Sequence, residues 1–203
     1  MSFGYKTAWI AARSTDAARV IRALDLRGTA PSTGEAGVDA SYEDQDAGYG
    51  RKVFVTRPID GWTLAVSTGF FRHADDNPPS FGDWIARLSA ELGCEVQYFS
   101  THRVVETHCW ARAVDGELQR AYGYSGASGE VMVDFGEKTE EEAEDLSLPD
   151  EGDVMTLAGQ WSVDPSVLAD ISDGFLGQLT DDAPSPSVAV QPAPRKAPWW
   201  KFW

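Results

Sequence analysis

The sequence predicts an α+β domain: a mainly antiparallel sheet with helices packed on one face. Three observations carry that expectation. Apolar runs of strand length follow one another across short turns, and strands joined this way pair antiparallel. Two other segments place their apolar residues at helical spacing. Hydrophobic residues make up 42% of the 203, enough for a packed core. The opening order, strand–helix–strand–strand–helix–strand, is also that of the ferredoxin-like topology, and order alone leaves the pairing open.

Residues 5–13 read as the first strand, with Trp9, Ile10 and the alanines as buried content. Ser14 or Thr15 caps a helix over 16–26, where Ala17, Val20, Ile21 and Leu24 form one stripe. Residues 29–50 are rich in Gly, Ser, Asp and Glu and read as a long loop. Residues 52–57 and 62–68 form a hairpin around Pro58-Ile59-Asp60-Gly61. Residues 70–79 connect to a second helix capped by Ser80, with Asp83 placed for a reciprocal contact, a stripe of Phe81, Trp84, Ile85, Leu88 and Leu92, and Gly93 as terminator. These first two helices belong to one face of the sheet.

Four strands follow, over 95–100, 104–114, 117–124 and 130–135. Asp115-Gly116 is the strongest hairpin signal in the chain. A two-residue turn there sets Cys109 opposite Tyr122, Trp110 opposite Ala121 and His108 opposite Gly123. Large residues would then face small ones. Thr139 and Glu142 read as a capping box for a short acidic helix over 139–146, and a further helix begins at Asp150 or Glu151. Asp164-Pro165 opens a last helix marked by Val167, Leu168, Ile171 and Phe175. The domain so read covers 1–179, its acidic helical part 139–179. Residues 180–203, with Pro184, Pro186, Pro192, Pro194 and Pro198, read as a flexible tail that ends Pro198-Trp199-Trp200-Lys201-Phe202-Trp203.

Charge narrows the function classes. The formal net charge is -15, from 17 Lys and Arg against 32 Asp and Glu. Such a surface repels phosphate, which argues against a nucleic-acid partner. No apolar run reaches the ~18 residues of a membrane span, and the first residues lack the pattern of a secretory signal, so the expected location is cytoplasmic. The acidity is uneven: from Thr139 to Pro194 there is no Lys or Arg. Glu140, Glu141, Glu142, Glu144, Asp145, Asp150, Glu151 and Asp153 crowd its first part. A solvated face explains such a run as readily as a docking surface for a cationic partner. The tail carries the opposite sign through Arg195, Lys196 and Lys201, beside Trp199, Trp200, Phe202 and Trp203. That aromatic segment would fold back on its own domain, dock on a partner protein, or dip weakly into an anionic membrane interface.

Candidate chemistry is sparse. The three histidines are His73, His102 and His108, and the richest polar patch joins His102, Arg103, Glu106, His108 and Trp110. Glu106 and His108 could act as an acid–base pair, with His102 nearby. Cys109 falls on the opposite face of the strand from His108, which opposes a Cys–His dyad. Cys94 and Cys109 lack metal-ligand spacing and read as small buried hydrophobes. No phosphate loop, dinucleotide fingerprint, nucleophile elbow or zinc-protease motif occurs, so no cofactor or metal is implied.

Three segments carry a resemblance. Gly61-Trp62-Thr63-Leu64-Ala65-Val66, then 96–106 with Thr101-His102-Arg103-Val104-Val105-Glu106, and Trp161-Ser162-Val163-Asp164-Pro165 are similar to a group of uncharacterised bacterial proteins with WTL, THRVVE-x-H-x-WA and WS-x-DP segments in this order. The resemblance implies no catalytic residues. In general character such small acidic proteins resemble immunity proteins of bacterial toxin systems, which is analogy. The leading expectation is a non-enzymatic protein that binds another protein, in its most concrete form an inhibitor that covers a cationic toxin or effector domain. Alternatives are an adaptor whose aromatic segment docks a partner, and an enzyme built on Glu106, His108 and His102.

Overall fold

The computed structural model describes residues 6–43, 49–142, 148–170 and 173–180. Among the described residues nine strands form one sheet: β1 Lys6–Ala12, β2 Arg27–Ser32, β3 Lys52–Thr56, β4 Thr63–Val66, β5 Val96–His102, β6 Thr107–Val114, β7 Glu117–Ser125, β8 Glu130–Phe135 and β9 Gly174–Gln178. Their order is β2-β9-β3-β4-β1-β5-β6-β7-β8, antiparallel throughout. The helices are α1 Ala17–Ala23, α2 Gly34–Ser41, α3 Arg72–Asp75, α4 Phe81–Leu92 and α5 Glu151–Trp161.

The order β3-β4-β1-β5 at the centre is the split β-α-β arrangement of a ferredoxin-like unit, with α1 and α4 as its crossovers. The two helices share one face, where Val20, Leu24, Ile85 and Leu88 pack with Ile10, Tyr98 and Ala111. The opposite face is covered as well. There Val38 of α2, Val154 and Leu157 of α5, and Leu168 pack with Trp9, Phe54, Phe99 and Trp110. A central strand covered on both sides needs apolar residues at every position. That is why β1 reads as a continuous run, buried from Thr7 to Ala12.

Several expectations change. Residues 29–50 are not one long loop: most of β2 and all of α2 lie within them. α2 is held by Gly37, whose absent Cβ leaves room for the Phe54 ring; an added Cβ would sit 2.0 Å from it. A Cβ added at Gly174 of β9 would sit 2.6 Å from the same ring. Phe175 therefore belongs to a strand, and the last helix shrinks to a 3₁₀ turn over Pro165–Asp170. The helical spacing of Val167, Leu168, Ile171 and Phe175 misleads because the sheet needs a strand between β2 and β3. Residues 104–106 form a turn, so β6 starts only at Thr107. Asp16, not Ser14 or Thr15, caps α1 by accepting from Arg19 N at 3.0 Å. Ser80 makes no side-chain cap at α4, while Gly93 closes that helix in the left-handed region as expected.

The Asp115-Gly116 turn forms, with positive φ at both residues, and Val114 pairs with Glu117. A bulge after Arg112 then moves the register by one. Cys109 faces Gly123, Trp110 faces Tyr122 and His108 faces Tyr124. The expected large-against-small pairing is replaced by stacking: the Trp110 and Tyr122 rings lie 4.6 Å apart at 25°. Among the described residues no helix is long and apolar enough to cross a membrane.

Candidate functional site

The structure brings together part of the polar patch, burying His108 and leaving Glu106 exposed at its outer end. Thr7, Thr101, His108 and Tyr124 stand opposite one another across β1, β5, β6 and β7. His108 Nδ1 lies 3.1 Å from Thr101 Oγ1, and its Nε2 lies 3.1 Å from Glu106 Oε2. A carboxylate only accepts, so Nε2 donates to Glu106; in a neutral ring Nδ1 then accepts from the Thr101 hydroxyl. Glu106 reaches back from the β5–β6 turn with φ at +47°, a conformation that costs a non-glycine residue roughly 1 kcal/mol or more. Gly126 makes the turn possible, since a Cβ there would sit 2.4 Å from Glu106 Cβ.

This hydroxyl–imidazole–carboxylate chain has the connectivity of an activated nucleophile. Thr101 and His108 are nonetheless fully buried. A substrate would reach the hydroxyl only after the covering layer moved. Its evident role is to satisfy buried polar groups between strands. His102 joins nothing here. Its ring lies 6.0 Å from Phe71, a side chain of the opposite core, and burial, then the nearby Lys6, lowers its pKa. Arg103 lies exposed in the turn, 3.9 Å from Glu151. Cys109 sits in the other core, where burial pushes its thiol up to about 12, and burial raises Cys94 too. Neither is a ready nucleophile.

The acidic segment divides into two kinds of carboxylate. Glu142 is not on a surface at all. It accepts from Arg120 Nε at 2.7 Å, from Arg120 Nη2 at 2.9 Å and from Trp110 Nε1 at 3.1 Å. It also accepts from Thr139 N at 3.0 Å, which is half of the expected capping box. The Thr139 hydroxyl is instead taken by Trp161 Nε1 at 3.3 Å. Arg120 further donates to Asp134 at 2.5 Å. Burial alone would lower the Arg120 pKa; bonds to Glu142 and Asp134 hold it above its ordinary value. The reason for this cluster is visible in the register: Arg120 stands directly opposite Arg112, and like charges so placed repel. Glu95 answers Arg112 at 2.6 Å, and Glu142 answers Arg120. Two arginines near an Asp-Gly turn were the signal in the sequence that acids had to come to them.

The other acids face outward. Glu140, Glu141, Asp150, Asp164 and Asp170 are exposed, and Glu151 and Asp153 are half-buried. Asp150 and Asp153 make the reciprocal cap of α5, at 3.0 Å each way. Backbone and Thr139 donors hold the Glu141 carboxyl below its usual range, so it stays charged. Glu144 and Asp145 lie outside the described residues, as do Trp199, Trp200, Phe202 and Trp203.

A third cluster was not anticipated. His73 stacks on Trp84 with centroids 4.2 Å apart, and its Nδ1 lies 3.2 Å from Ser80 Oγ, which also donates to Asp76. Burial first, then the Arg72 charge, lowers the His73 pKa to about 4. Ser80 is thus used as a link to the preceding turn rather than as a helix cap. Among the described residues no cluster of side chains has the makings of a metal site. No protein-family model matches the chain, and no curated protein or solved structure shows a significant similarity to it.

Proposed function

We propose that this chain is a non-enzymatic binding protein whose anionic flank covers a cationic surface of another protein. Its most concrete form is an immunity-type inhibitor that masks the cationic active site of a toxin or effector. One observation carries the reading. The acids drawn into the body have basic partners: Glu95 with Arg112 and Glu142 with Arg120. Glu140, Asp150, Asp164 and Asp170 make no ion pair among the described residues, whereas Glu151 meets Arg103 and Asp173 meets Arg57; the sequence supplies no Lys or Arg from Thr139 to Pro194. An unneutralised patch of this kind raises the local potential and speeds encounter with an opposite charge.

Affinity capture from native extract at low and high salt tests the proposal. The expected result is a basic protein held at low salt and released at high salt, harmful when expressed alone and harmless beside this chain. A partner whose retention ignores salt, or whose toxicity this chain leaves unrelieved, contradicts it.

A further inference from the structure

We propose that strand β8 is a docking edge for this chain's own segment Pro198–Trp203, which would pair as a tenth strand. The inference stands apart from the anionic flank and rests on the position of this edge, its side chains, its charge and the reach of the chain. β8 ends the sheet among the described residues, so alternate backbone N–H and C=O groups point away from β7. The other edge, β2, is guarded by Pro31 and by a register shift after Arg27. β8 contains no proline and no basic residue.

The side chains match as well. Val131 and Phe135 are each 50% exposed, and their cross-strand partners are Tyr124 and Ala121, which belong to opposite cores. The edge therefore offers an apolar contact on each face. An extended Pro198–Trp203 segment puts Trp199 and Trp203 on one face and Trp200 and Phe202 on the other. Charge agrees: Glu130 and Glu137 on or beside β8 are exposed, Asp134 being already paired with Arg120, and the segment brings Lys201 with Arg195 and Lys196 just before it.

Reach is sufficient. Seven strand spacings of ~4.8 Å separate β9 from β8, about 34 Å. The antiparallel order places the exit of β9 and the start of β8 at the same end of the sheet. Residues 181–197 extend to about 50 Å.

Hydrogen exchange on the full chain is the test. Replacing Trp199, Trp200, Phe202 and Trp203 by Ala should speed exchange across 130–135 at least about tenfold, with β1 and β5 unchanged. Reciprocally, Val131→Glu with Phe135→Glu should speed exchange across 198–203. Sedimentation should show a monomer. Unchanged exchange in β8 overturns the proposal. So does protection of β8 that grows with protein concentration, which would make the occupant a second copy. Protection of β8 that appears only when another protein is added also overturns it.

Discussion

The carboxylate of Glu142 grips the guanidinium of Arg120 through both of its oxygens, at 2.7 and 2.9 Å, in a part of the molecule where neither side chain meets solvent. The pair ties the start of the acidic segment to β7. It also separates a structural acid from the exposed acids that precede it in sequence. Breaking a buried pair from one side leaves an uncompensated charge, which typically costs about 3–5 kcal/mol. Glu142→Ala should therefore lower unfolding free energy by about that amount in urea denaturation. Glu140→Ala, two residues earlier and exposed, should change it by less than about 0.5 kcal/mol. Equal effects would contradict the division.

His108 links Thr101 to Glu106 inside the sheet. If its role is to satisfy buried groups, His108→Leu should cost about 1–3 kcal/mol by stranding the Thr101 hydroxyl. Binding to a partner should persist wherever the variant remains folded. Loss of partner neutralisation in a folded His108→Gln protein would instead give this chain a functional part.

His73 supplies a pH dependence. Its folded pKa is lowered to about 4, below the unfolded value near 6.5, so the fold favours the neutral ring. The contribution is fully present above the unfolded value and is lost as pH falls from about 6.5 towards 4. His73→Phe keeps a ring for Trp84 and removes the titration. The wild type should lose up to about 3 kcal/mol more than the variant between pH 7 and pH 4. Parallel pH–stability curves would refute the assignment.

Gly37 is the point of closest approach between α2 and the sheet, since its Cβ position overlaps the Phe54 ring. Gly37→Ala should destabilise by at least about 1–3 kcal/mol, the usual cost of overpacking, although alanine is the better helix former. A rise in melting temperature would contradict the packing described.

Much of this architecture could be read in advance where local rules and tertiary demands coincide. β1, α1, α4 and the two hairpins follow from periodicity, the Gly93 terminator and the Asp-Gly turns, although the N-caps expected at Ser14 or Thr15 and at Ser80 do not form. The segments that escaped are those whose conformation is set from a distance. α2 looks like loop because its glycines and acids have poor helix propensity, yet Gly37 is what the Phe54 ring requires. β9 looks helical because its strand character comes from the gap between β2 and β3. The Arg112 bulge moved every cross-strand pair beyond it, so Trp110 met Tyr122 instead of Ala121. At the site, the sequence gathered His108 with Glu106 correctly. It could not show that Thr101 completes the chain from the neighbouring strand, that His102 turns away, or that Glu142 leaves the acidic run for Arg120.

The central claim is that exposed carboxylates of the base-free segment drive association. The most direct measurement is the stopped-flow association rate of the captured partner with wild type and with the Glu140→Lys, Glu141→Lys variant, followed across ionic strength. Glu142 is left intact because its loss would unfold rather than repel. The account predicts a rate at least about tenfold slower at low salt and a flattened salt dependence, with the melting temperature unchanged. An association rate equal to that of wild type at every salt concentration would contradict it.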